Sequence, residues 1–122
     1  MCGFLGVYGR YDYDDRRFLE ALKLQSSRGP DYMEVARSET SITGHARLSI
    51  QDLSSSANQP MKKKQYTLIF NGEIYNFKDI KKGLEKNYQI RFTNNTDTQV
   101  LLEACSVYGV EETLKKLVGM FA

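Results

Sequence analysis

The sequence is poor in the residues that build disulfide frameworks and metal sites. Its 122 residues contain two cysteines, Cys2 and Cys105, one histidine, His45, and no tryptophan. Two cysteines form no disulfide framework. Because the cysteines lack ligand spacing and only one histidine is present, we expect no metal site. The remaining composition, 41% hydrophobic and 26% charged, is typical of one globular domain.

The sequence also lacks a strong charge and any long apolar run. A net charge of +2 is too small to favour a nucleic acid or an anionic membrane as partner. The lysines at 62–64 have no interleaved aromatic residue, which predicts a solvated turn. No run approaches the roughly 20 apolar residues that span a bilayer, and no signal peptide is recognisable at the N-terminus. We therefore expect a soluble, cytoplasmic protein that binds neither nucleic acid nor membrane.

Cys2 is the first candidate functional residue, because it directly follows Met1. Removal of Met1 would leave a thiol and a free α-amine on one residue. The amine has a pKa of about 7.7–8.0, below the roughly 8.5 of a thiol, so near neutral pH it can accept the thiol proton. Position alone allows two interpretations. Cys2 is either an N-terminal nucleophile activated by its own amine or a small buried residue at the start of a strand.

Short strands and amphipathic helices alternate along the sequence, which predicts an α+β fold rather than a doubly wound parallel sheet. The predicted strands cover 3–8, two segments between 33 and 43, 66–70, 89–92 and a segment beginning near 120. One helix is predicted to follow a cap at Asp14 or Asp15 and to end near residue 26, and another covers 77–84. A third is capped by Thr96 with Gln99 in a capping box and ends at Gly109, and a fourth covers 111–118. Residues 51–60 have the composition of a loop.

A set of polar residues near predicted strand and helix ends suits attack on the side-chain amide of an α-amino acid. Asn71 and Gly72 follow a strand, where a side-chain amide and a backbone N–H can form an oxyanion hole. Arg47 can hold a carboxylate with a two-point fork, and Glu73 and Asp97 can each bind an ammonium group. Alternatives remain for two of them, since Arg47 also fits a surface ion pair and Asp97 a helix cap.

Eight motifs, in order along the whole chain, carry a family resemblance. They are Met-Cys-Gly-Phe at 1–4, Arg-Gly-Pro-Asp at 28–31, Gly-His-Ala-Arg-Leu-Ser-Ile at 44–50, Asp-Leu-Ser at 52–54, Gln-Pro-Met at 59–61, Asn-Gly-Glu-Ile-Tyr-Asn at 71–76, Thr-Asp-Thr at 96–98 and Gly-Met-Phe-Ala at 119–122. The sequence resembles the N-terminal glutaminase domain of glutamine-hydrolysing asparagine synthetases, which are class II, N-terminal-nucleophile amidotransferases. Similar proteins of surface-polysaccharide clusters share these motifs, so the acceptor of the nitrogen stays open.

The resemblance implies a fold, a reaction and a role for each site residue. The implied fold is a four-layer αββα sandwich, incomplete at its C-terminus. The implied reaction is attack of Cys2 on the glutamine amide, with release of ammonia and hydrolysis of a γ-glutamyl thioester. The implied roles are an oxyanion hole at Asn71 and Gly72, a carboxylate site at Arg47, an ammonium site at Glu73 and Asp97, and a pocket wall at Leu48 and Ile50.

The resemblance further implies that residues 1–122 are part of a glutaminase domain that needs no cofactor. A C-terminal synthetase domain, absent from this sequence, would use ATP and magnesium to activate aspartate. The expected partners are glutamine, that domain and a second copy in a homo-oligomer. Two alternatives stay open. His45 could be the base for Cys2, as in papain-like hydrolases, or the chain could be a truncated, inactive domain that serves only as a binding or interaction module.

Overall fold

The fold alternates short antiparallel strands with helices, and the computed structural model describes residues 2–9, 14–50 and 52–122. The strands are β1 (Gly3–Tyr8), β2 (Tyr32–Arg37), β3 (Ser41–Arg47), β4 (Met61–Lys63), β5 (Tyr66–Leu68), β6 (Gly72–Ile74) and β7 (Gly119–Phe121). The helices are α1 (Asp15–Lys23), α2 (Phe77–Tyr88), α3 (Asp97–Tyr108) and α4 (Val110–Leu114), with a 3-10 turn at Ser55–Ala57. This is a mixed α/β architecture with antiparallel sheets, which agrees with the α+β class predicted from the sequence.

A three-stranded antiparallel sheet, in the order β1-β3-β2, positions the start of the chain. Gly3 of β1 lies opposite Ala46 of β3, so Cys2 sits beside the end of β3. Helix α1 packs on one face of this sheet through the buried side chains of Phe18 and Leu22. The helix approaches so closely that a Cβ at Gly44 would lie 2.6 Å from the Leu22 side chain.

Helix α3 is buried and packs against two strand pairs, β4–β5 and β6–β7. One face of α3 packs Leu102 against Met61, and a second packs Leu101 against Phe70 and Ile74. A third face carries Val100 and Ala104, which contact Leu84 of α2. The nine residues from 97 to 105 are all buried, and this explains why α3 lacks the polar stripe of a surface helix.

The ends of α3 agree with the sequence prediction except in one detail. The Thr96 hydroxyl accepts a hydrogen bond from Gln99 N–H at 3.2 Å, and the helix ends before Gly109, whose φ is +82°. The Gln99 side chain does not complete a capping box. Its Oε1 accepts from the backbone N–H groups of Thr93 and Asn94 instead.

The strand predicted at 89–92 is wrong. Gln89 ends α2 in the left-handed conformation, with φ +56°, and the following residues form no ladder. Ile90 and Phe92 pack against the cluster formed by α2 and α3, so their apolar side chains are buried without strand pairing. Other bounds also differ, since α1 ends at Lys23, β5 at Leu68, α2 at Tyr88 and α4 at Leu114.

The lysines at 62–64 are only partly a turn. Lys62 and Lys63 belong to β4, and only Lys64 lies in the turn, with φ +51°. The Lys63 ammonium lies 2.9 Å from the carboxylate of Glu103, which is buried on α3. Among the helices formed by the described residues, none is long and apolar enough to cross a bilayer.

Candidate active site

A cavity of about 510 Å³ is lined by residues from the three-stranded sheet and the loop after it, from the β6–β7 pair and from the start of α3. All of the site residues predicted from sequence border it: Cys2, Arg47, Leu48, Ile50, Asn71, Gly72, Glu73 and Asp97. The remaining lining residues are Asp52, Ala57, Gln59, Phe70, Thr96, Thr98 and the segment 120–122. The fold therefore brings together predicted site residues from Cys2 to Asp97, which lie 95 positions apart in the chain.

Cys2 lies half-buried at the edge of this cavity, immediately before β1. Its Sγ accepts a hydrogen bond from the backbone N–H of Leu48 at 3.3 Å, and the thiol also lies 3.7 Å from the Leu48 carbonyl oxygen. The Cys2 carbonyl accepts from Nε of Arg28 at 3.2 Å. Met1 lies outside the described residues, so its removal stays a prediction.

The turn at 28–31 holds the segments on both sides of the thiol. The Asp31 N–H donates to the Arg47 carbonyl at 3.0 Å, and the Asp31 carboxylate accepts from Ser49 N–H at 2.7 Å. Gly29 packs so tightly that a Cβ there would lie 2.0 Å from the Ala46 carbonyl oxygen. From sequence, residues 28–31 carry a family motif and a helix-stop signal but no predicted role at the site. The signal for its supporting role was the pair of charged residues flanking Gly-Pro.

The backbone N–H of Gly72 points away from β7. Asn71 exchanges two backbone hydrogen bonds with Ala122, each 2.9 Å, so Gly72 is the next, non-hydrogen-bonded position of the antiparallel pair. The N–H of Ile74 lies on the same side two residues later, and it donates to Oδ2 of Asp97 at 2.9 Å. Both N–H groups therefore face the side of β6 where Asp97 and the cavity lie.

Two features require glycine at position 72, its backbone conformation and the close pairing of β6 with β7. Its φ is +151°, a conformation that L side chains rarely adopt. A Cβ at this position would lie 2.3 Å from the Met120 carbonyl oxygen and 2.4 Å from the Phe121 Cα.

Arg47 is buried and organises the loop that follows it, so it is not a surface ion pair. Its Nη1 donates to the Ser54 carbonyl at 2.9 Å and to Oδ1 of Asn58 at 2.6 Å, and its Nη2 donates to the Asp52 carbonyl. A guanidinium has five N–H donors. Three are used in these contacts, so within the described chain two remain for a ligand in the cavity.

Two carboxylates face the same cavity from β6 and α3. Asp97 is 3% exposed, and burial raises the pKa of its carboxyl, as does the nearby charge of Glu73. Hydrogen bonds from the backbone of Ile74 and Thr98 act in the opposite direction on the Asp97 pKa. The N-cap of α3 is Thr96, so Asp97 is not the cap. Paired carboxylates of this kind can bind a cation such as an ammonium group.

His45 and Cys105 lie outside the cavity lining. His45 is fully buried, its Nε2 lies 3.2 Å from the Phe70 carbonyl oxygen, and burial lowers the pKa of its imidazole. This geometry gives His45 a structural contact and argues against a role as general base for Cys2. Cys105 packs in the core with Leu101, as the sequence predicts, and burial raises the pKa of its thiol.

Within the described ranges, no group of three or more His, Cys, Asp or Glu side chains is placed to hold a metal ion. The cavity lining instead supplies a thiol, a guanidinium, an amide and carboxylates. The absence of a metal or cofactor from the reaction stays a prediction.

Comparison with known proteins identifies relatives of the whole chain. A family described as "Glutamine amidotransferase domain" matches residues 1–122. Asparagine synthetase [glutamine-hydrolyzing] 1 of Bacillus subtilis (strain 168) is 38% identical over 130 residues, which cover 100% of this chain and 20% of the relative. Asparagine synthetase B [glutamine-hydrolyzing] of Escherichia coli (strain K12) is 35% identical over 127 residues, 100% of this chain and 22% of the relative. The chain thus spans about a fifth of the length of these relatives.

Proposed function

Because the chain belongs to the glutamine amidotransferase domain family, we propose that it performs the glutaminase half-reaction of an asparagine synthetase. Glutamine is hydrolysed to glutamate and ammonia, with Cys2 as the nucleophile. The observation that carries this proposal is the convergence of Cys2, Arg47, Asn71 and Asp97 on one cavity. Each of them supplies a group that a glutamine molecule can use.

The first step is attack of the Cys2 sulfur on the side-chain carbonyl carbon of glutamine. With Met1 removed, the free α-amine takes the thiol proton, and the sulfur forms a bond to the carbon while the C=O electron pair moves to oxygen. The Asn71 side-chain amide and the Gly72 N–H stabilise the resulting oxyanion. The direction of the Gly72 N–H, away from β7, supports this role.

The second step releases ammonia and regenerates the enzyme. The oxyanion collapses, the C–N bond breaks, and the α-ammonium returns the proton to the departing amine. Water then attacks the γ-glutamyl thioester, with the α-amine as base, and Cys2 leaves as the thiol together with glutamate. The Leu48 N–H, 3.3 Å from Sγ, supports this cycle because it can stabilise developing thiolate.

Substrate binding uses both charges of the glutamine zwitterion. The α-carboxylate accepts from the two guanidinium donors of Arg47 that the loop at 52–58 leaves uncommitted within the described chain. Glu73 and Asp97 bind the α-ammonium, and the backbone of Leu48 and Ile50 forms a wall of the pocket. Burial raises the pKa of Asp97 in the free site, and a bound ammonium would offset the burial of its charge.

The fold proposed for this site is the four-layer αββα sandwich. Helix α1 covers one face of the three-stranded sheet. On the opposite face, the position of a Cβ at Gly6 lies 3.6 Å from the side chain of Ile69, in the segment after β5. Helix α3 packs behind β4 and β5. The contacts thus run from helix to sheet to strand pairs to helix, which supports the layered arrangement.

In the parent protein we place the acceptor chemistry in a C-terminal synthetase domain. Ammonia would pass to aspartate that this domain has activated with ATP and magnesium, and the glutaminase part itself would need no cofactor. Two relatives named as glutamine-hydrolysing asparagine synthetases support this assignment. A cytoplasmic location and a homo-oligomeric parent complete the proposal.

The test compares Met1-free and Met1-retained protein, distinguished by intact mass, for release of ammonia from glutamine. We expect release only from the Met1-free form, and none from its Cys2→Ala variant. Equal rates from both forms would contradict the N-terminal-nucleophile mechanism. A Met1-free form that binds glutamine without hydrolysing it would contradict the glutaminase function and favour a binding module.

A further inference from the structure

The backbone of Phe70 is held by two side chains rather than by a strand. Phe70 lies between β5 and β6, outside both strand pairs, and it is 4% exposed. Buried backbone N–H and C=O groups need hydrogen-bond partners. Its N–H donates to Oε1 of Gln59 at 2.6 Å, and its carbonyl accepts from Nε2 of His45 at 3.2 Å.

The two side chains come from separate parts of the fold. His45 lies on β3 and is fully buried, and Gln59, which precedes β4, is 5% exposed. Since a carbonyl oxygen can only accept, Nε2 of His45 carries the proton, which fixes the neutral tautomer. The other ring nitrogen of His45, Nδ1, has no hydrogen-bond partner among the described residues. Within that part of the chain, the His45 ring is therefore held by its hydrogen bond to the Phe70 carbonyl.

This arrangement lies directly before the proposed oxyanion hole. Rotation of the Phe70 backbone would turn the peptide between Phe70 and Asn71, and with it the donors of Asn71 and Gly72. On the C-terminal side of this peptide, Asn71 is held by its two backbone hydrogen bonds to Ala122. An oxyanion donor must lie about 2.7–3.1 Å from the developing charge, so the direction of this segment matters for the rate.

We propose that His45 and Gln59 are positioning residues that set the direction of the Asn71–Gly72 oxyanion hole by holding the N–H and C=O of Phe70. This inference rests on the proposed glutaminase function. His45 lies outside the cavity lining, and Gln59, which borders the cavity, has its Oε1 committed to the Phe70 N–H, so the proposal assigns to both side chains an effect through the Phe70 backbone. Their effect falls on the transition state, and therefore on kcat rather than on KM.

The kinetic experiment removes each contact in the Met1-free protein. We expect Gln59→Leu and His45→Leu each to lower kcat for glutamine hydrolysis by about 10-fold to 100-fold, with KM within about twofold, because small displacements of a catalytic group have effects of this size. His45→Gln keeps a side-chain N–H donor and should recover most of kcat. The double Leu variant should lose less than the product of the single losses, since both side chains act on one residue.

Two controls separate positioning from general destabilisation. Gln65→Leu makes the same change at an exposed glutamine in the β4–β5 turn. Leu84→Val weakens the core in a cluster that does not contain Phe70. Both should leave kcat unchanged at temperatures where the protein is folded. The proposal would be overturned if the Gln59→Leu and His45→Leu variants lost no more kcat than a Leu84→Val protein of equal stability. It would also be overturned if these variants raised KM and left kcat unchanged.

Amide hydrogen exchange provides a readout that does not depend on activity. We expect the amides of Phe70 and Asn71, both hydrogen-bonded in the wild type, to exchange at least about 10-fold faster in Gln59→Leu and His45→Leu, and unchanged in Gln65→Leu. Unchanged exchange in both Leu variants would overturn the proposal. If the wild type releases no ammonia, the glutaminase function fails, and the exchange rates still decide whether His45 and Gln59 hold this segment.

Discussion

Gly72→Ala tests the pairing of β6 with β7 at the residue where the proposed oxyanion hole depends on it. The new Cβ would lie 2.3 Å from the Met120 carbonyl oxygen and 2.4 Å from the Phe121 Cα, both backbone atoms that cannot rotate away. The φ of +151° also becomes unfavourable for alanine. The two strands must therefore separate, or residue 72 must change its conformation.

The size of the effect follows from the contacts that are lost. Separation breaks the two backbone hydrogen bonds between Asn71 and Ala122, each of which contributes about 0.5–1.5 kcal/mol. If the strands stay together, alanine instead occupies a disfavoured backbone region at a cost on the order of 1–3 kcal/mol. Either route lowers the free energy of unfolding by about 1–3 kcal/mol, out of the roughly 5–15 kcal/mol typical of a domain.

Urea unfolding measures this change, and Gly83→Ala is the matched control. Gly83 lies in the middle of α2, and nothing is within 4 Å of a Cβ placed there. Because alanine is the better helix former by about 1 kcal/mol, we expect Gly83→Ala to raise the unfolding midpoint and Gly72→Ala to lower it. Equal midpoints for Gly72→Ala and the wild type would refute the close pairing of β6 and β7.

Three further predictions concern the cavity and the buried histidine. Arg47→Lys should weaken glutamine binding by about 1–3 kcal/mol, seen as a higher KM, because a point charge cannot replace the two-point guanidinium fork. An unchanged KM would exclude Arg47 as the carboxylate site. Asn71→Ala should lower kcat about 100-fold or more with little change in KM, and steady-state kinetics would contradict this if only KM rose. Burial lowers the pKa of His45, so below about pH 6.5 the unfolded chain binds a proton that the folded chain does not. Stability should therefore fall from pH 7.5 to 5.5 by urea unfolding, and the fall should be smaller in His45→Gln; equal falls would argue against a buried neutral His45.

Local patterns predicted the elements whose signals lie within a few residues. The apolar β-rich run at 3–8 is β1, Thr96 caps α3, and Gly109 ends it. The apolar run at 89–92 shows where such patterns fail, because a strand and a buried coil both need apolar side chains. Ile90 and Phe92 are buried by α2 and α3, elements whose positions the local pattern does not contain.

The sequence by itself determined which chemical groups are available. It places Cys2 next to Met1, and its spaced motifs single out Arg47, Asn71, Gly72 and Asp97 as a set. Residue identity and motif order are enough for that, because thiol, guanidinium and amide chemistry is a property of the side chain.

Only the tertiary structure decided how these groups are aimed. The N–H of Leu48 reaches the Cys2 sulfur across 46 positions of sequence, and strand register turns the Gly72 N–H away from β7. The commitment of three Arg47 donors to the following loop and the capture of the Phe70 backbone by His45 and Gln59 are likewise absent from any local pattern. Hydrogen bonds depend on direction and on distances within tenths of an ångström, and these are set by the packing of distant segments.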